Sequence, residues 1–117
     1  MNVFSPVMYY NSNMIATIIL NVESSDGYAM DPPESPVVKG VFKPDLVAMD
    51  GFPQNMTRLG ILTGAFISQF QLPAGLSSIG TYIVVVSYVD PSTKYERQVL
   101  YSLIVGVPFG NNSVVGV

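Results

Sequence analysis

Apolar and polar residues alternate along several short stretches of the chain, which is the pattern of β-strands. The clearest stretch is 81–89, which is dense in β-branched and aromatic residues and places Tyr82, Val84 and Val86 on one face. Its other face is also mostly apolar. We therefore predict a central strand whose second face is covered too, by this chain or by a neighbour.

A second alternating run, 95–105, follows 81–89 after Asp-Pro-Ser-Thr at 90–93, which predicts a type I turn. The two runs predict an antiparallel hairpin. Further strands are predicted at 15–23, 64–72, 37–43 and 56–62. Prolines and glycines interrupt every window in which a helical period could develop. The prediction is a single immunoglobulin-like, antiparallel β-sandwich of about seven strands with extended terminal segments; an open barrel is the alternative.

The domain organisation follows from length. A chain of 117 residues is the size of one domain, and no repeat or linker divides it. We predict one domain over 1–117, with a core of about 11–106. The segments 1–10 and 107–117 are interpreted as interaction arms.

Composition narrows the function classes. Only 11% of the residues are charged, where about 25% is usual, so part of the surface is expected to be apolar and to meet a partner. A net charge of -3 argues against binding nucleic acid. The chain has no His and no Cys, which excludes His-based acid–base chemistry, thiol catalysis and zinc fingers.

Carboxylates are the side chains that remain as candidates for catalysis. Four of them, Asp26, Asp31, Asp50 and Asp90, fall in predicted turns and are interpreted as bonding their own backbone. A small sandwich with short loops leaves little room for a substrate cleft. We expect no enzyme activity, no cofactor, no metal and no small-molecule substrate. The longest apolar runs are too short for a membrane helix, so we expect no membrane partner.

A family resemblance lies in the second half of the chain. Gly64-Ala-Phe66, Phe70-Gln-Leu-Pro73 and Gly80-Thr-Tyr-Ile-Val84 together resemble the passage from strand E to strand F in immunoglobulin-like and macroglobulin-like sandwiches. Tyr82 resembles the tyrosine of the tyrosine corner, with Val84 at the position of the second core Cys. The resemblance covers about 5–106 and implies a fold. The chain departs from antibody domains because it has neither Cys nor Trp.

The two ends carry no charged side chain over 1–10 and 108–117, unlike ordinary disordered tails. One hypothesis is that they dock on another subunit, as added strands or as apolar plugs. The alternative is that each folds back on its own sandwich. The candidate partner-binding residues are Phe4, Met8, Tyr9, Tyr10, Phe109, Val114, Val115 and Val117.

The short chain, its uncharged ends and its immunoglobulin-like pattern look like those of phage virion proteins. That likeness implies a non-enzymatic virion component, such as a head–tail joining, tail or capsid decoration protein. Its partners would be other copies of itself or other virion proteins, and it would assemble in the host cytoplasm. Met1 and the lack of a secretory signal favour a full-length product made there.

Two other functions stay open. One is an immunoglobulin-like binding or adhesion module of a bacterial surface protein, located at the cell surface. The other is a small carbohydrate-binding module, which needs an aromatic platform that Tyr9, Tyr10, Tyr28 or Tyr95 could provide.

Overall fold

Segments rich in Val, Ile and Tyr fold as strands throughout the part of the chain that is described. The computed structural model describes residues 7–11, 13–75 and 78–106, with the backbone alone for 7–9. The strands are β1 (Val7–Asn11), β2 (Ile15–Asn21), β3 (Val37–Phe42), β4 (Gln54–Asn55), β5 (Thr57–Arg58), β6 (Ala65–Gln71), β7 (Gly80–Val89) and β8 (Glu96–Gly106). Within these ranges, no helix is long and apolar enough to cross a membrane.

The strands form two sheets, which confirms the predicted all-β sandwich. The large sheet has the order β1-β8-β7-β3-β4, and the small sheet has the order β2-β6-β5. Every pair is antiparallel except β1 with β8, which is parallel. The parallel pair departs from the antiparallel expectation. A hairpin between two strands would make them antiparallel, but β1 continues into β2 of the other sheet and no hairpin joins it to β8. The two strands can therefore pair in parallel.

The β7–β8 hairpin is confirmed, with a continuous register from Gly80 opposite Val105 to Val89 opposite Glu96. β7 lies between β8 and β3, as predicted for a central strand. The side chains of Tyr82, Val84 and Val86 are fully buried in the core that β7 shares with the small sheet. The side chains on its second face are instead half-buried or exposed, apart from one buried serine.

The turn that joins β7 to β8 is held by Asp90. Its Oδ1 accepts hydrogen bonds from the backbone N–H groups of Ser92 (2.8 Å) and Thr93 (3.1 Å). These two bonds, led by that of Thr93, lower the pKa of the Asp90 carboxyl, and Arg97 adds to the effect. The interpretation of Asp90 as a turn residue is confirmed.

Tyr82 makes the hydrogen bond that the tyrosine-corner pattern predicts. Its hydroxyl donates to the carbonyl of Ser78, four residues upstream, at 2.7 Å. Burial raises the pKa of this hydroxyl. The bond ties the start of β7 to the segment before it.

The predicted strand at 56–62 is wrong in its extent. Only Thr57–Arg58 of that range forms a strand, β5, which pairs with β6; β4 lies just before the range and pairs with β3 of the other sheet. Between them lies Met56, which is buried and donates its N–H to the Pro36 carbonyl at 2.8 Å. The chain passes from one sheet to the other at this residue, so neither strand can continue.

A close backbone contact beside β6 requires glycine at position 64. Gly64 has φ +76°, and a Cβ atom there would lie 2.5 Å from the Val22 carbonyl oxygen. The Gly64 N–H donates to Asp31 Oδ1 at 2.6 Å, and Asp31 Oδ2 pairs with Arg58 at 3.1 Å. Asp31 was expected to bond its own turn; it bonds instead to a strand end 33 residues away.

We predict that Gly64→Ala lowers the free energy of unfolding by about 3 kcal/mol, because it combines a left-handed φ with a clash against fixed backbone. Gly27→Ala is the matched control, since Gly27 has φ +87° but open space around its Cβ position. The control should lose about 1 kcal/mol. Urea denaturation measures both, and equal losses would contradict the clash.

Candidate functional site

The N-terminal candidates lie in or before β1. The register places Met8 opposite Leu103 and Tyr9 opposite Ile104 of β8. Tyr10 is half-buried and packs against the core cluster of its own sandwich. Residues 7–11 therefore pack on their own domain. Partner binding by Met8, Tyr9 and Tyr10 stays a prediction.

The remaining candidates fall outside the described residues. These are Phe4, Phe109, Val114, Val115 and Val117. Their role as partner-binding residues likewise stays a prediction.

In the small sheet, strand β2 has a free edge at which backbone groups can meet a partner. Strand β2 alternates the direction of its backbone groups. The N–H and C=O groups of the even-numbered residues point to β6, and those of the odd-numbered residues point to the open edge. The Tyr10 hydroxyl accepts from Thr17 N–H (3.0 Å) and donates to Thr17 C=O (3.1 Å). The Tyr101 hydroxyl donates to the Ile19 C=O at 2.9 Å. Two tyrosines of the large sheet thus occupy part of this edge.

Beyond these two hydroxyls the edge is open. Within 7–11, 13–75 and 78–106, the Ile19 N–H and both backbone groups of Asn21 have no hydrogen-bond partner. Unpaired backbone groups at a strand edge can form hydrogen bonds with another strand.

A groove of about 390 Å³ runs beside the open part of the edge. We call it the edge groove, and it is lined by Thr17, Ile19, Leu20, Asn21, Tyr88, Val99 and Tyr101. None of these side chains is charged at neutral pH. Burial, with a smaller contribution from Tyr88, raises the pKa of Tyr101 to about 12, so its hydroxyl remains a neutral donor. The groove can therefore accept an uncharged chain segment through apolar contact and backbone hydrogen bonds.

The second exposed surface is the outer face of the large sheet. The register brings Val85 opposite Leu100 and Thr81 opposite Ile104, with Ile83 between these rows. Leu100 is 46% exposed and Ile104 is 36% exposed, while Ile83 and Val85 are half-buried. We call Ile83, Val85, Leu100 and Ile104 the outer apolar face. A sheet face that meets water is usually polar, whereas this one has these four apolar side chains beside the polar Thr81 and Ser102.

Several charged side chains lie at the hairpin end of the same sheet. A pocket of about 230 Å³ there includes Glu34, Lys39, Ser87 and Glu96 in its lining. Ser87 Oγ donates a hydrogen bond to Glu96 Oε2. The carboxylate therefore serves as an acceptor for a buried hydroxyl, which is a structural role.

Sequence reasoning missed the role of Tyr101. The residue was interpreted only as an apolar position of the alternating run 95–105. No local pattern reports that its hydroxyl reaches Ile19, which lies 82 residues earlier. The only signal was the residue type, because a buried tyrosine needs a hydrogen-bond acceptor.

No protein-family model matches the chain, and no curated protein is significantly similar to it.

We predict that stability falls between pH 10 and pH 12 in part because of Tyr101. An unfolded tyrosine ionises near pH 10, whereas folded Tyr101 ionises near pH 12. Its contribution is therefore complete below pH 10 and is lost as the pH rises, at about 1.4 kcal/mol per pH unit.

Urea denaturation at pH 9, 10 and 11 measures this slope. Tyr101→Phe should reduce it, while Tyr95→Phe should leave it unchanged because Tyr95 is exposed. An unaltered slope in Tyr101→Phe would show that the loss comes from other groups.

Proposed function

We propose that this chain is a non-enzymatic structural protein that packs into a larger assembly through uncharged surfaces. The observation that carries the proposal is the outer apolar face, where Leu100 and Ile104 are exposed on a sheet whose neighbouring positions Ile83 and Val85 are also apolar. Burying such a face against a neighbour is favourable in proportion to the apolar area removed from water.

The low charge of the whole chain supports the same proposal. Five basic and eight acidic residues leave long stretches of surface without charge. Repulsion between copies is therefore weak, and desolvating the outer apolar face requires no charged side chain to leave water. These two properties suit a protein that makes a permanent contact.

The finer proposal is an immunoglobulin-like component of a phage virion. The strand orders β8-β7-β3 and β2-β6-β5 correspond to the G-F-C and B-E-D orders of immunoglobulin sandwiches. The Tyr82 hydroxyl bond to Ser78 also supports this resemblance. The virion setting rests on the likeness to small sandwich proteins of phage particles, because a fold alone does not specify a function.

We predict that the isolated chain is larger than its 12.6 kDa monomer in sedimentation equilibrium, and that Leu100→Lys shifts it towards the monomer. A lysine there places a charge in the contact. Ile61→Lys is the matched control, because Ile61 is 95% exposed and lies outside the outer apolar face. A monomer whose mass does not change with concentration would contradict the assembly proposal.

The virion setting has a separate test. The native mass of the complex from which the protein purifies should be that of a ring or particle. Recovery from its source only as a small species would contradict the virion setting.

A further inference from the structure

The open part of the β2 edge has the chemistry of a strand-binding site. Ile19 offers an N–H, and Asn21 offers an N–H and a C=O, all directed to the same side. An added strand would form backbone hydrogen bonds with these groups. Its alternate side chains would enter the edge groove against Tyr88, Val99 and Tyr101.

The lining of the edge groove selects an uncharged occupant. A charged side chain that entered it would lose water without gaining a partner of opposite charge. The segment 107–117 carries no charged side chain. It also contains Val114, Val115 and Val117, which are β-branched residues that favour strands.

The position of Gly106 argues for a segment from another copy. Gly106 ends β8 opposite Asn11, while Val99 of the groove lies seven residues earlier in β8, about 23 Å away along the strand. Eleven residues reach at most about 40 Å, and reversing direction uses several of them. A returning segment would also have to pass the Thr17 and Ile19 groups that the tyrosine hydroxyls already occupy.

We propose that the C-terminal segment of a second copy of this chain adds to β2 as a short strand at Ile19–Asn21, with Val115 and Val117 in the edge groove. This inference rests on the proposed assembly function and names one of its contacts. It is separate from the outer apolar face, because none of the four residues of that face lines the edge groove.

Photo-crosslinking of the full chain tests the contact directly. A benzophenone amino acid replaces Val115, and chains labelled with heavy and light nitrogen are mixed before irradiation. We expect heavy–light crosslinks to peptides that contain residues 17–21, 88 or 99–101. Crosslinks within one chain only, or to other surfaces, would overturn the proposal.

Paired variants test its energetics. The double variant Val115→Asp and Val117→Asp should weaken self-association at least tenfold, while Asn111→Asp with Asn112→Asp adds the same charge and should have little effect. Ile19→Pro removes the open N–H and should also weaken association. Ile15→Pro is its control, because it makes the same change at the other end of β2, away from the edge groove.

The outcomes separate this inference from the proposed function. If Leu100→Lys dissociates the assembly and neither the valine pair nor Ile19→Pro does, strand addition is wrong and assembly stands. If the wild-type chain is a monomer at every concentration, both are wrong.

Discussion

The hydrogen bond from the Tyr101 hydroxyl to the Ile19 carbonyl connects the main features of this structure. It joins the large sheet to the free edge of the small one at 2.9 Å, and it satisfies a carbonyl that would otherwise face a partner strand. Tyr10 does the same at Thr17 from the neighbouring strand β1. Because both tyrosine hydroxyls come from strands at one side of the sandwich, they occupy the middle of this edge and leave open, among the described residues, the Ile19 N–H and the backbone groups of Asn21 and of Ile15.

The opposite side of the sandwich is closed by the chain itself. At Met56 the backbone passes from β4 of the large sheet to β5 of the small sheet, and the buried methionine fills the space between them. The strands at this side are two residues long, so they present little edge for pairing. The chain also passes between the sheets on the other side, from β1 to β2, but there the longer edge of β2 is bonded by tyrosine hydroxyls.

Local patterns predicted the parts of the fold that are stabilised by local contacts. The β7–β8 hairpin follows from alternation and from a turn in which the Asp90 carboxylate accepts a backbone N–H two residues later. The break at Met56 was not predictable, because the pairing partner changes there from β3 to β6 and no local pattern reports which strand lies alongside. The bond between Asp31 and Gly64 escaped prediction for a similar reason, since it depends on two loops that meet only in the folded chain.

The outer face of the large sheet relates the low charge of the chain to one part of its surface. In an ordinary sandwich the outer positions of a central strand carry polar side chains, because water covers them. Here Ile83 and Val85 occupy such positions in β7, and Leu100 extends the apolar surface onto β8. The charged residues Glu34, Lys39 and Glu96 gather at the hairpin end instead. The apolar side chains suit a neighbour and this charged end suits water, and the difference gives any contact a preferred orientation.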